Sequence, residues 1–287
     1  MIRLWTILAV SAALIASVPV PVFAQSLGFS QGGDGPIQIE ADEGIEWQRA
    51  NQLYRARGNA KATQGGVVVE GDELVAHYRP NRAGENEIYR IDATGNVRIT
   101  SATEVATSDK AVYDIDDGVL FLTGQTVRLD TAEDTIIARE SLYYYEQRQI
   151  AIARGDALAI RGDRRLRADT LTAHFGEGGR RASMDQIEAA GNVLVSTPTD
   201  IIRSEKGDYN PDSGLATLTG NVKITRGETQ LNGERAEVNL TTGESRILSL
   251  RSGQRVRGIF LPKAKTGGGA GQQPTLQPAN PDSTGTR

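Results

Sequence analysis

From Pro36 onward the chain alternates apolar and polar residues with a period of two. Val97 and Ile99 alternate with Asn96, Arg98 and Thr100, and Val222 and Ile224 with Asn221, Lys223 and Thr225. Such alternation gives a strand one apolar face. No segment carries a convincing helical period. A Gly-Asn/Asp-Ala/Val signature punctuates the strands at Gly58-Asn59-Ala60, Gly95-Asn96-Val97, Gly155-Asp156-Ala157, Gly191-Asn192-Val193 and Gly220-Asn221-Val222, with Gly124-Gln125 as a looser sixth copy. An acidic residue follows each glycine (Asp72, Asp109, Glu140, Asp169, Glu205 and Glu234), 14 residues on in five units and 16 in the other. Before each acid the apolar residue stands at −3 (Val69, Ala106, Ile137, Leu166, Ile202 or Leu231). After it, the apolar or small residues move to +2 and +4, as in Ala111 and Tyr113. The inward face therefore changes parity at the acid, which predicts a bulge or sharp bend there.

A longer period overlies the short one. Gly58 and Gly155 are 97 residues apart, Gly95 and Gly191 are 96 apart, and Val75-Ala76-His77-Tyr78 matches Thr172-Ala173-His174-Phe175. This reads as a tandem duplication of a three-unit block. Asp116-Asp117-Gly118, Pro211-Asp212-Ser213-Gly214 and Thr241-Thr242-Gly243 are turn signals between paired strands. Connections this short leave no room for crossover helices, so successive strands pair antiparallel. The expectation is an all-β protein of a dozen or more short strands, in two facing sheets or a solenoid-like roll.

Composition sets the ends apart from this middle. The 287 residues carry 36 Asp+Glu against 32 Lys+Arg, no Cys, two His and 5% aromatics. The absence of cysteine excludes disulfides, thiolate chemistry, zinc–thiolate sites and a lipid-anchored cysteine. The mildly acidic balance argues against a nucleic-acid binder. Residues 1–24 read as a secretory signal peptide, with an apolar run from Leu4 to Val18 and a small-residue cleavage pattern ending at Ala24. Pro19 and Pro21 break that run short of the roughly 20 residues of a membrane span. Residues 25–35 read as a flexible leader, 36–262 as the folded part, and 263–287 as a tail too polar to order itself.

Candidate chemistry is sparse. Many inward positions are small, among them Ala60, Ala62, Ala111, Ala157, Ala159, Ala173 and Ala236. Small residues allow either close approach of two sheets or an apolar trough between them. The histidines fall on the polar face, and no nucleophile–base constellation, metal-ligand pair or phosphate loop is present, so no catalytic residue, metal or cofactor is expected. The recurring acids follow the repeat spacing, which makes them turn or edge residues rather than calcium ligands. The basic cluster Arg161, Arg164, Arg165 and Arg167 has two readings. One is a charged strand edge that blocks further pairing; the other is contact with a phosphate or an acidic partner.

Pro36-Ile37-Gln38-Ile39-Glu40-Ala41-Asp42, the recurring Gly-Asn-Val, Ser108 to Asp114, Leu122-Thr123-Gly124, and the closing Ser252-Gly253-Gln254-Arg255-Val256-Arg257 through Phe260-Leu261-Pro262 resemble the LptA/OstA family of lipopolysaccharide-export proteins. The resemblance covers about residues 36–262, and the extra three-unit block departs from it. It implies an open, twisted antiparallel β-jellyroll, here of about six two-strand units. It also implies a non-enzymatic periplasmic carrier that shields the acyl chains of lipopolysaccharide (lipid A) in an apolar groove between inner and outer membrane. Groove positions matching the family are Ile37, Ile39, Val97, Ile99, Ala111, Tyr113 and Ile115, with Val193, Val195 and Tyr209 as duplicated counterparts. The implied partners are the like-folded LptC and LptD periplasmic domains and further copies of the chain. They would meet head to tail at edges bearing Ile37, Ile39 and Ala41 at one end and Val256 and Phe260 at the other. The alternatives are a structural or carbohydrate-interacting β-solenoid without lipid cargo, and a carbohydrate-active β-helix enzyme with paired carboxylates on one face.

Overall fold

The computed structural model describes residues 36–176, 184–249 and 256–259. The signal-peptide segment, the leader, Phe260 and the tail lie outside the described residues. Within them are eighteen strands and no α-helix, and every strand pairing is antiparallel.

The long strands are β3 (Leu53–Gln64), β4 (Val67–Pro80), β5 (Asn86–Thr100), β6 (Val105–Asp114), β11 (Ile150–Arg161), β12 (Arg164–Phe175), β13 (Met184–Ser196), β14 (Asp200–Asn210), β15 (Leu215–Arg226) and β16 (Thr229–Asn239). Each bends once, at the Gly-Asn/Asp pair or at the acid. Gly95 and Asn96 both take left-handed backbone, with φ of 77° and 48°. Glycine does so freely, and Asn and Asp tolerate it better than other residues. Asn59, Asp156, Asn192 and Asn221 repeat the conformation, with φ between 43° and 49°. Arg57 faces Glu73 while Ala60 faces Gly71. Two residues thus oppose one, the β-bulge that the parity change predicts. The inward set accordingly runs Val67, Val69 and Gly71 before Asp72, and Leu74, Ala76 and Tyr78 after it.

A carboxylate from the preceding strand closes each corner. Asn96 Nδ2 donates to both Asp72 oxygens at 3.2 Å, Asn192 to Asp169 at 3.1 and 2.9 Å, and Asn221 to Glu205 at 2.5 Å. Asn59 donates to Asp42 at 2.8 Å, while the next residue, Glu43, crowds Gly58 as Glu140 crowds Gly155, one more acid of the series than the sequence count held. At the looser copy the Gln125 backbone N–H donates to Asp109 at 2.7 Å. A Cβ on Gly95 would stand 2.1 Å from Asp72 Oδ2, and one on Gly191 equally close to Asp169 Oδ2. Glycine is therefore required both for its backbone sign and for space.

The row of corners divides the sheet into two facing arms joined along one line. Arm I holds residues before each Gly corner and after each acid; arm II holds the rest. A single core cluster, from Ala56 through Val238, draws on both arms. Ala60, Ala157 and Ala236, next to the corners, are fully buried; the arms converge there, and only small side chains fit.

Near the middle and at the ends the long strands split in two. β7 (Val119–Thr123) and β8 (Val127–Asp130) close the first block; β9 (Asp134–Ala138) and β10 (Ser141–Tyr145) open the second. β7 pairs with β10, and β8 with β9. Both arms thus run unbroken from one block to the next, so the extra block lengthens one roll. Phe121 and Tyr143, with ring centroids 4.5 Å apart, cover this junction from outside. β1 (Gln38–Glu40) and β2 (Gly44–Gln48) form one end, β17 (Ser245–Leu248) and β18 (Arg257–Ile259) the other. Each lies on one arm and pairs on one side only, among the described residues.

The corner gives a direct test. Gly191→Ala should lower stability by about 1–3 kcal/mol through strain, and by more through the collision with Asp169. Gly84→Ala, at φ 82° in open space, carries the strain alone. Urea unfolding midpoints should fall further for Gly191→Ala; equal falls would mean that the carboxylate crowds nothing.

Candidate functional site

The two blocks differ most between their arms. In the first, Trp47, Tyr54 and Tyr78 fill the inner face of arm I. Trp47 stacks on Tyr54 at 5.8 Å, Tyr54 lies 5.0 Å from Tyr78, and Trp47 Nε1 donates to the Tyr78 hydroxyl at 2.8 Å. Val67, Val69, Val97, Ile99, Tyr113, Leu120 and Leu122 are fully buried. A pocket at the β1–β2 end of this block, lined by residues including Ile37, Ile39, Tyr54 and Ile91, is only about 10 Å³. The interior is filled.

In the second block a cavity of about 230 Å³ opens between the arms. Its wall is apolar: Leu142, Ala153, Leu171, Ala173, Phe175 and Ile187 from arm I, and Ile136, Ala159, Leu166 and Val195 from arm II. Repeat register explains the space. The counterpart of Tyr54 is Ala151, of Leu120 Ala216, of Ala111 Gly207, and of Ile99 Val195. All four smaller residues line the cavity. Ala106 runs the other way, with the larger Ile202 as counterpart, but Ile202 is buried near the corner. An engineered apolar cavity of about 150 Å³ stays dry and takes benzene, so this volume suits a hydrocarbon guest.

Of the positions the sequence points to, Val193, Val195 and Tyr209 line the cavity. Val97, Ile99, Ala111 and Tyr113 are buried in the packed first block. Ile115 packs half-buried against the core, as do Ile37, Ile39 and Ala41 at the free β1 end. Val256 is exposed beside β18. The lining residues Ala151, Leu166, Phe175, Gly207 and Ala216 were not singled out as a site. The signal for three of them lies in subtracting one copy from the other.

The mouth is charged. Arg161 donates to Asp134 through Nε and Nη2 at 2.6 and 2.5 Å. Farther along arm II, outside the cavity lining, Arg226 donates in the same way to Asp200 at 2.6 and 3.1 Å. Such two-pronged contacts are the stronger kind of ion pair. Asp200 is 13% exposed. Burial works against its ionisation, but the bonds from Arg226 and Thr199 and the charge on Arg226 outweigh burial and hold its carboxyl below the usual carboxylate range. The histidines lie elsewhere, on the outer face: His77 Nε2 is 2.8 Å from Asp92 Oδ2, and His174 Nε2 is 3.3 Å from Glu188 Oε1. Among the described residues no three acidic or histidine side chains gather as a metal site.

The family described as "LptA/(LptD N-terminal domain) LPS transport protein" matches residues 38–145 and 201–281, more than half of the chain. The chain belongs to this family. The all-β jellyroll and the place in lipopolysaccharide transport are those of an LptA-like protein, and the two matched stretches flank residues 146–200. An uncharacterised protein of Rhizobium meliloti (strain 1021) is 25% identical over 132 residues, 44% of this chain and 70% of that protein. Among solved structures, LptH of Pseudomonas aeruginosa, the LptA-homologous periplasmic component of its lipopolysaccharide transport device, superimposes with a TM-score of 0.40 at 13% identity, over 45% of this chain and 95% of LptH.

The depressed Asp200 carboxyl sets a pH dependence. Its stabilisation is fully present above the unfolded carboxylate value, about pH 3.9, and is lost as pH falls through the lower folded value. Asp200→Asn should therefore be less stable than the parent at pH 7, with the gap in thermal midpoint closing as pH falls below about 4. A gap that stays constant would mean that the ionised carboxylate contributes nothing.

Proposed function

We propose that this LptA-like chain is a periplasmic, non-enzymatic lipopolysaccharide carrier, and that acyl chains lie in the cavity of the second block. One observation carries the reading: the apolar space between the arms of that block, opposite a filled first block. Each methylene moved from water into such a site is worth about 0.8 kcal/mol. A carrier of this kind removes the barrier that water sets against moving a multi-chain lipid, and needs no chemistry of its own.

Extension by like-folded partners is the second part of the reading. β1 and β2 are the repeat counterparts of β9 and β10, which inside the chain are paired on both sides. Ile45 and Trp47 on β2 remain 51% and 49% exposed. An unpaired edge with apolar residues invites another strand. The same chain, or the LptC and LptD periplasmic domains that the family implies, would fit there head to tail.

Protein recovered from the periplasm of a lipopolysaccharide-producing bacterium should carry the lipid in native mass spectra. Ala151→Tyr with Ala216→Leu restores the bulk found in the first block. Displacing even two methylenes costs about 1.6 kcal/mol, more than tenfold in affinity, so the filled variant should lose lipid while its thermal midpoint holds or rises. Undiminished binding in a folded, filled variant would place the acyl chains elsewhere.

A further inference from the structure

The basic cluster and the cavity occur in the same block, and this coincidence has chemical content. On the inner rim of arm II, strand register sets the charged residues in order. Asp134 faces Arg161 across β9 and β11, Arg161 faces Arg164 across the β11–β12 turn, and Asp200 faces Arg226 across β14 and β15. Two arginines are satisfied. Arg161 is held by Asp134 and Arg226 by Asp200. Arg164 has no carboxylate partner among the described residues, and neither does its neighbour Arg165; both line the cavity. Asp163, in the turn between Arg161 and Arg164, pairs with neither. Asp208, on the arm I side of the cavity, receives a hydrogen bond from Gln186. Arg167 is engaged outside by Asp156.

Arg161 and Arg164 stand opposite one another and Asp134 flanks Arg161 on its other side, so the charge of Arg164 is left unmatched, and like charges so placed repel. The first block shows what the rim looks like without this charge: the counterparts of Arg161, Arg164 and Arg165 are Gln64, Val67 and Val68, and that of Asp134 is Ile37. At these four positions the filled copy is uncharged and the hollow copy cationic, while the counterparts of Asp200 and Arg226 are the acids Glu104 and Asp130.

We propose that Arg164, with Arg165 beside it, binds the phosphate of a phosphorylated lipid whose tails occupy the cavity. The proposal rests on the carrier reading and adds the recognition of the head group. A planar guanidinium matches phosphate oxygens with two parallel N–H donors and stays charged at every working pH. The apolar wall begins at Leu166, two residues along β12, so one lipid can reach both. Arg161, already closed on Asp134, keeps that acid from competing for Arg164.

The test compares bis-phosphorylated lipid A with enzymatically dephosphorylated lipid A of the same acyl chains, binding to the full mature chain. The parent should prefer the phosphorylated lipid by about tenfold, equivalent to about 1.4 kcal/mol. The double variant Arg164→Gln/Arg165→Gln should lose that preference and keep its affinity for the dephosphorylated lipid. Arg82→Gln, which removes the same kind of charge from a first-block turn, should leave the preference intact. A double variant that still prefers the phosphorylated lipid, or a parent that binds both lipids alike, overturns the phosphate site and leaves the carrier reading standing. If neither lipid binds the parent, the carrier reading falls and the phosphate site with it. Should the double variant fail to fold, Arg164→Gln alone carries the comparison, with the same outcomes.

Discussion

The hydrogen bond between a carboxylate and the left-handed Gly-Asn corner of the following strand is what gives this protein an inside. A strand with strict period-two alternation has one apolar face along its whole length, and stacking such strands yields a single sheet with one wet and one dry side. Inserting one extra residue at each corner does two things at once. It turns the strand, and it shifts the parity so that the apolar face stays on the concave side beyond the turn. Asp72 over Gly95 and Asp169 over Gly191 fix the corner at the same level in successive strands. The bends therefore line up, and two arms result instead of a crumpled sheet.

Once the corners fix the arms, the interior is decided by side-chain volume. Close to the corner line, alanines such as Ala60 and Ala157 are all that fits. Farther out the separation is set by what stands between the arms. In the first block the Trp47–Tyr54–Tyr78 cluster occupies that space. In the second, Tyr144 and Phe175 remain in edge contact at 6.4 Å, but Ala151 stands where Tyr54 would, and the gap stays open. The backbone is duplicated while the filling is not. A scaffold held by corner hydrogen bonds tolerates this, because its register does not depend on a packed centre.

This division also explains what could be read from the chain alone. The corners were legible because they need particular residue types, glycine for φ and space and Asn or Asp for φ, at fixed spacing. The parity change around Asp72 or Asp109 follows from the same requirement. The all-β fold followed from those, and the jellyroll from the family resemblance; that the repeat block lengthens one roll, rather than forming a second, is seen only in the pairing of β7 with β10 and of β8 with β9. The location of empty space was not legible in the same way. Ala159 and Ala60 occupy equivalent kinds of inward position in the sequence, yet Ala159 lines the cavity and Ala60 lies in the seam. Volume is a property of several side chains across both arms, and no single position reports it. Comparing counterparts, Tyr54 with Ala151 and Leu120 with Ala216, recovers part of it. The cluster from Arg161 to Arg167 stood out in the sequence, but its division into paired Arg161, outward Arg167 and unpartnered Arg164 depends on where Asp134 and Asp156 fall in space.

The duplication bears on how the roll gains length. Among the described residues the end strands are short: three and five residues at the β1–β2 end, four and three at the β17–β18 end. Backbone pairing over so few residues makes a weak contact between separate molecules, because association must offset the loss of translational and rotational freedom. Short edges also limit indiscriminate pairing. At the junction of the two blocks the same kinds of strand, β7 and β8 against β9 and β10, meet within one chain, and that cost is absent. Covalent linkage turns an end-to-end encounter into an intramolecular one at high effective concentration. The second block thus supplies, without any association step, a length of roll that a single-block chain would have to reach through partners, and it places the hollow, cation-rimmed segment beyond a filled one.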